Sequence, residues 1–292
     1  MIIGEILARN ARMYGDEIAL VEREPAKDIR RGMTWKEFHD KANRIANALT
    51  SRGIKKGDKV VQLMMNCLEW LPIYFGILRT GAWAVPLNFR FAANEIRYCA
   101  EIAEAKAVIF GEEFVDRINA VKKDLTSIKD HIFVGPTEVT PTYANQFEDF
   151  LETGGTDSPD IPIDLLDEAG LYFTSGTTGT PKPILLTHRN LEFACINENR
   201  HHNQAHGDNF LCIPPLYHTG SKMHWFGNFV VGARAVILKG IKPQWILEAI
   251  SEERVSVVFL LVPWAQDILV AIETGEVNLD DYQLDQWRLM HI

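Results

Sequence analysis

Cysteine is sparse in this sequence and poorly arranged for chemistry. Cys67, Cys99, Cys195 and Cys212 stand far apart, and no Cys-x-x-Cys pair occurs. Neither a cysteine zinc site nor a dithiol redox motif is suggested, and the thiols are expected to be buried in a reducing compartment. Long apolar runs are missing as well. The uncharged stretches at 209–221 and 255–266 contain prolines and fall short of the ~20 apolar residues that a bilayer span needs. Glu5 and Arg9 interrupt the N-terminus before the apolar centre of a signal peptide could form. Positive charge is in deficit: 30 Lys and Arg face 39 Asp and Glu, a formal net charge of -9. Binding to nucleic acid needs clustered cations, and no basic stripe is present, so no nucleic-acid partner is expected. Internal repeats and low-complexity tracts are absent too. These absences leave a cytoplasmic α/β protein of 292 residues, 47% hydrophobic, long enough for one large domain or two lobes.

Strand-length apolar runs alternate with helical patterns. Thr34 and Glu37 have the spacing of a capping box. Phe38, Ala42, Ile45 and Leu49 then share one helical face, and Gly53 is placed to end the helix. A strand is predicted over 59–64, followed by a helix through Leu71, Phe75 and Leu78 whose regular part starts late because of Pro72. Gly81 ends that helix. Further strands are predicted at 83–87, 107–110, 132–134, 170–174, 184–186, 235–238, 255–261 and 287–292. Asn94 is expected to cap one intervening helix and Thr187 another, with a third at about 244–250. The segment 153–160 is the clearest loop. Strand, helix, strand at this spacing predicts largely parallel sheets with crossover helices. Runs that are apolar throughout, rather than alternating, fit strands covered on both faces. A chain whose last residues read as a strand under way is expected to be a fragment of a longer fold.

The segment with most chemical content follows the strand ending at about Thr174. It holds Gly176 and Gly179, the hydroxyl residues Thr174, Ser175, Thr177, Thr178 and Thr180, and then Lys182. Glycines let backbone N–H groups curl round an anion, hydroxyls donate further hydrogen bonds, and lysine adds a point charge. The pattern is therefore that of a polyphosphate cradle. It differs from G-x-x-x-x-G-K-[ST] in glycine spacing and in having no hydroxyl residue after the lysine. The bland alternative is an ordinary Ser/Thr/Gly connector.

In its detailed order, and in its continuation through Leu185, Leu186, Thr187, His188, Arg189 and Asn190, this segment resembles the signature loop of the adenylate-forming superfamily. That superfamily includes acyl-CoA synthetases, luciferases and peptide-synthetase adenylation domains. The resemblance covers essentially the whole chain. It includes the segments 14–20, 34–35, 57–60, 81–88 and 95–98, which look like stand-alone acyl-CoA ligases in order and spacing. One departure is Pro183, where the family usually has glycine. Proline removes an N–H and biases Lys182 toward extended geometry.

The resemblance implies roles further along. Pro214, Pro215, Leu216, Tyr217 and His218 resemble a second family motif, in which His218 would line the acyl pocket and the route of the CoA thiol. The default for a lone histidine beside an apolar run is a satisfied structural residue. Gly220 and Lys222 follow on a helix that would border the same pocket. Lys222 is unusual there: it either snorkels to solvent or meets a polar or carboxylate group of the substrate. Val262, Pro263 and Trp264 resemble the chain's passage along the far side of that pocket. His202 and His206 are spaced i, i+4, but Asn203 stands where H-E-x-x-H has glutamate, so with His201 they read as a solvated polar segment and no metal site is expected.

The fold implied is the N-terminal large domain of the adenylate-forming fold, α/β, truncated. It has two lobes of mostly parallel sheets flanked by helices, one at about 55–209 and the other combining 1–54 with 210–292. Segments that hold adenine, ribose and Mg²⁺, and a C-terminal domain with the catalytic lysine, are expected beyond Ile292. The activity implied for the intact enzyme is activation of a carboxylic acid with ATP, Mg²⁺ and CoA as the other participants. Loading of a carrier protein instead of CoA is the runner-up, and a non-catalytic nucleotide- or partner-binding module is the alternative from another class.

Overall fold

A computed structural model describes residues 1–174 and 180–292. In chain order the first elements are α1 (Ile3–Met13), β1 (Ile18–Glu24), β2 (Ile29–Thr34), α2 (Trp35–Ser51), β3 (Lys59–Leu63), α3 (Trp70–Arg79) and β4 (Trp83–Pro86). Next come α4 (Ala93–Ile102), β5 (Ala107–Gly111), α5 (Val115–Val121), β6 (Asp130–Val134), β7 (Asn145–Gln146), α6 (Phe147–Glu152) and β8 (Glu168–Thr174). The remainder forms β9 (Lys182–Thr187), α7 (His188–His202), β10 (Asn209–Cys212), α8 (Thr219–Phe229), β11 (Arg234–Leu238), α9 (Pro243–Glu252), β12 (Val257–Phe259), α10 (Val262–Glu273) and β13 (Leu289–His291). No helix among the described residues is long and apolar enough to cross a membrane.

By internal contacts the chain divides into two units, the first comprising Met1–Glu5, His39–Met65 and Glu69–Glu192. Its sheet has the order β7-β6-β5-β3-β4-β8-β9. Every neighbouring pair is parallel except β8 with β9, which form an antiparallel hairpin at one edge. Val61, Leu63, Val108, Phe110 and Phe133 of the central strands pack with Ile96 and Cys99 of α4 and Ile118 of α5. These strands are apolar on both faces because helices cover both, as expected of parallel sheets. Gly76 lets α3 approach α2: a Cβ there would stand 2.6 Å from Ile45 Cβ.

The second unit comprises Ile6–Phe38, Asn66–Leu68 and Phe193–Ile292. Its sheet runs β13-β12-β10-β11-β1-β2, parallel except for the terminal β1–β2 hairpin. The N-terminal strand β1 thus joins strands from the end of the chain. Val21, Leu211, Val236 and Val258 pack beneath Ile246, Leu247 and Ile250 of α9 and Ile268 of α10. The expected class, α/β with mostly parallel sheets flanked by helices, is what the chain adopts.

Local readings fare unevenly. The capping box forms: Glu37 Oε2 accepts from Thr34 N–H at 2.8 Å, and Thr34 Oγ1 from Glu37 N–H at 3.2 Å. Gly53 and Gly81 adopt the left-handed φ of +90° and +70° that ends α2 and α3. Pro72 does not delay its helix. It sits in the first turn of α3, where its missing N–H would have had no intrahelical partner. The cap of α4 is Ala92 rather than Asn94, with Glu95 Oε2 reaching back to Ala92 N–H at 2.8 Å. The run 255–261 is only partly strand, because Pro263 sets the first turn of α10 and Leu261 already acts as its N-cap. Cys99, Cys195 and Cys212 are buried as expected, whereas Cys67 is only partly buried.

Candidate functional site

The glycine- and hydroxyl-rich segment leaves β8 and returns along β9. Thr174 and Lys182 are register partners across that hairpin, and both side chains are exposed. These two predicted phosphate contacts are therefore brought together. The other five, Ser175, Gly176, Thr177, Thr178 and Gly179, lie outside the described residues. Pro183 pairs with Phe173 on β9, an edge strand, the kind of strand in which sheets accommodate proline. Thr187 and Asn190 then cap α7 reciprocally: Asn190 Oδ1 accepts from Thr187 N–H at 2.9 Å, and Thr187 Oγ1 from Asn190 N–H at 3.3 Å. His188, at the start of α7, is buried, and neither ring nitrogen has a hydrogen-bond partner among the described residues. Burial pushes it down to about 4, against an opposing pull from Asp167, so the ring is neutral at pH 7.

In the second unit the predicted pocket residues open α8. His218 is its N-cap, and His218 Nδ1 accepts from Gly220 N–H at 3.1 Å. A neutral ring with Nδ1 as acceptor carries its proton on Nε2, so the exposed imidazole offers one N–H donor. Gly220 sits in close quarters: a Cβ there would lie 3.1 Å from His218 Nδ1 and 3.4 Å from Phe259 Cε1, so both side chains would have to give slightly. Lys222 does not snorkel. Its exposure is 0%, and desolvation drives its amine well below the ordinary lysine range. One turn after an N-cap on a helix packed against β10 and β11, the side chain has no route along apolar surface to water.

The solvated segment expected at His201, His202 and His206 does not hold at His202. His201 is exposed, but His202 is drawn inward beside His224 of α8 and His291 of β13. The signal for this convergence is absent from local spacing, because the three rings come from elements up to 89 positions apart. Gly227 permits it by letting α8 approach α7, where Asn199 Nδ2 donates to Gly227 O at 3.1 Å and to Gln204 O at 2.8 Å. His206 faces elsewhere, stacking on Tyr14 at 3.9 Å. Glu198 joins the cluster: burial alone would raise its carboxyl, but the hydrogen bond from His224 and the neighbouring rings hold it below the usual range.

Comparison with known proteins follows the same lines. Long-chain-fatty-acid–CoA ligase FadD13 of Mycobacterium tuberculosis is 29% identical over 256 residues, 87% of this chain and 48% of the relative. The 4-hydroxybutyrate–CoA ligase 2 of Metallosphaera sedula is 27% identical over 283 residues, 94% of this chain and 48% of the relative. Among solved structures, the inhibitor-bound N-terminal domain of FACL13 from Mycobacterium tuberculosis superposes with a TM-score of 0.86 at 25% identity, covering 99% of this chain and 69% of that one. The chain spans about half the length of the curated relatives it matches. With a fold of this kind and a match to the AMP-binding enzyme model over residues 7–291, the chain belongs to the AMP-binding enzyme family.

Proposed function

We propose that the whole protein activates a carboxylic acid with MgATP and passes the acyl group to CoA. The observation that carries this reading is the segment from Thr174 to Lys182, delivered by the β8–β9 hairpin within a chain of the AMP-binding family. In the first step a carboxylate oxygen attacks the α-phosphorus, the bond to the pyrophosphate oxygen breaks, and an acyl-adenylate forms. In the second, the CoA sulfur attacks the acyl carbon after losing its proton, and AMP departs. Displacement at phosphorus asks chiefly for positioning and charge neutralisation. The hydroxyls of Thr174, Ser175, Thr177 and Thr178, the N–H groups of Gly176 and Gly179, and the ammonium of Lys182 would supply donors to the phosphate oxygens. His218 and Gly220 would border the acyl group, with His218 Nε2–H directed to a polar atom passing the mouth. The two curated relatives above are both named CoA ligases, which favours CoA over a carrier protein as acceptor.

Residues 1–292 would supply the phosphate segment and part of the acyl pocket. We infer that residues 1–292 alone turn over no acid. β13 forms an open sheet edge with Met290 exposed, so the isolated chain is also expected to self-associate. The test is isotope exchange between pyrophosphate and ATP on the full-length gene product, with a panel of carboxylates, followed by thioester detection with and without CoA. Carboxylate-dependent exchange together with CoA-dependent thioester supports the reading. Adenylate that moves only to a carrier protein, or no carboxylate-dependent exchange, overturns it.

A further inference from the structure

Among the described residues, one group of metal-capable side chains converges, and the chemistry above makes no use of it. One ring nitrogen each from His202 on α7, His224 on α8 and His291 on β13 lie within 4.8 Å of one another. His202 Nε2 and His291 Nδ1 are 3.1 Å apart. Zinc–nitrogen bonds of about 2.0–2.1 Å at a tetrahedral angle separate neighbouring ligand nitrogens by roughly 3.3 Å. The His202–His291 spacing is close to that value, and the His224 nitrogen, within 4.8 Å of both, would close in by a small ring movement.

Glu198 prepares the rings. Its Oε2 lies 2.8 Å from His224 Nδ1 and 3.2 Å from His202 Nδ1. At His224 the carboxylate hydrogen-bonded to Nδ1 holds the proton there and leaves Nε2 as a lone pair, the arrangement by which metal-ligating histidines are oriented, whereas at His202 the approach is an ion-pair distance without hydrogen-bond geometry. Phe259 closes the apolar side, with its ring centroid 4.6 Å from that of His224 and 5.4 Å from that of His291. Arg288 fixes the approach of β13 by donating to His202 O at 3.0 Å and to Asp208 Oδ2 at 2.7 Å. A helix pair held at Gly227, a strand clamped by Arg288 and a shared carboxylate thus aim three imidazoles at one point.

We propose that His202, His224 and His291 bind one divalent cation of the zinc class, with Glu198 as the positioning carboxylate and solvent at the fourth place. A set of three neutral nitrogens favours zinc, nickel or copper over magnesium or calcium, which prefer oxygen. The cation would tie β13 to α7 and α8. This site stands apart from the ATP reading, so either can fail without the other.

The test uses the full-length gene product freed of metal by a chelator and titrated with zinc by calorimetry. One equivalent is expected, with a rise in melting temperature. Cobalt should give the intense visible absorption of tetrahedral nitrogen ligation. His224→Ala and His291→Ala should each weaken zinc at least about tenfold, and Glu198→Gln by about 10–100-fold. His201→Ala should leave affinity unchanged. The cobalt spectrum of the unaltered chain decides even if a variant misfolds. No saturable binding, a weak octahedral cobalt spectrum, unchanged affinity in both alanine variants, or equal loss in His201→Ala would overturn the proposal.

Discussion

The β8–β9 hairpin and the histidine cluster of α7, α8 and β13 are built on opposite principles. The hairpin carries its proposed phosphate-binding residues in one short run, from Thr174 to Lys182, and one pair of neighbouring strands delivers both ends. The cluster draws Glu198, His202, His224 and His291 from three elements, and only tertiary packing brings them together. Contiguity made the first visible as a motif, whereas the second has no motif at all. Long-range assembly also makes the cluster dependent on remote residues such as Gly227 and Arg288. The hairpin should tolerate changes elsewhere as long as its register holds.

The largest effect that would sharpen this contrast concerns activity. In the whole protein, Thr177→Ala combined with Thr178→Ala should reduce carboxylate-dependent pyrophosphate exchange by about 10²-fold or more, since a single preorganised donor at a developing charge can be worth that much. The melting temperature should stay within a few degrees. If exchange is unchanged, the segment is only a connector and the comparison loses one side.

A second prediction separates the two regions by pH. His188 titrates at about 4 in the folded protein against 6.5 when free. Between those values the unfolded chain binds a proton that the folded chain refuses. Stability is therefore full above pH 6.5 and falls as pH drops toward 4, by roughly 3 kcal/mol at the limit. His188→Gln should remove that part of the slope in urea unfolding measured across the window. An unaltered slope would mean that groups other than His188 account for the acid sensitivity.

What could be read from the sequence follows the same division. The capping box at Thr34, the cap at Thr187 and the turn glycines are local, and each appears where its residues place it, as do most of the apolar strands, the run 255–261 excepted. Junctions were harder. Pro72 and Pro263 break helices in the interior but are tolerated in a first turn, and only the surrounding packing decides which applies. Lys222 illustrates the limit of generic rules: lysines usually reach water, yet the packing around α8 leaves this one none. His202 looked solvated because its partners are 22 and 89 positions away.

A third prediction probes that packing. A Cβ at Gly227 would stand 1.8 Å from Gln204 Oε1 and 2.8 Å from Asn199 N, which forces α7 away from α8. Gly227→Ala should cost about 1–3 kcal/mol, read from urea unfolding, and should weaken zinc binding as well. Gly76→Ala, which crowds Ile45 in the other unit, should cost a similar amount and leave zinc affinity alone. Equal loss of zinc in both variants would show that the cluster responds to general destabilisation rather than to the α7–α8 approach.

The smallest expected effect is at Lys222, and its sign is informative. Burial disfavours the ammonium, so the folded chain gives up the amine's proton more readily than the unfolded chain, whose lysine keeps the ordinary pKa of 10.5. The cost of Lys222 is therefore largest at neutral pH and shrinks as pH rises toward that value. Lys222→Met keeps length and volume while removing this cost, although it also removes whatever the amine contacts. The net change should stay within about 1.5 kcal/mol, and methionine should gain more at pH 7 than near about pH 10. In the whole enzyme the same variant should raise KM for acids with a polar group far from the carboxylate and spare unsubstituted aliphatic acids. If KM for both classes moves together, Lys222 shapes the packing of α8 and makes no contact with the acyl chain. If stability falls by several kcal/mol at both pH values, the amine is held as an ion by a partner, and desolvation does not govern this lysine.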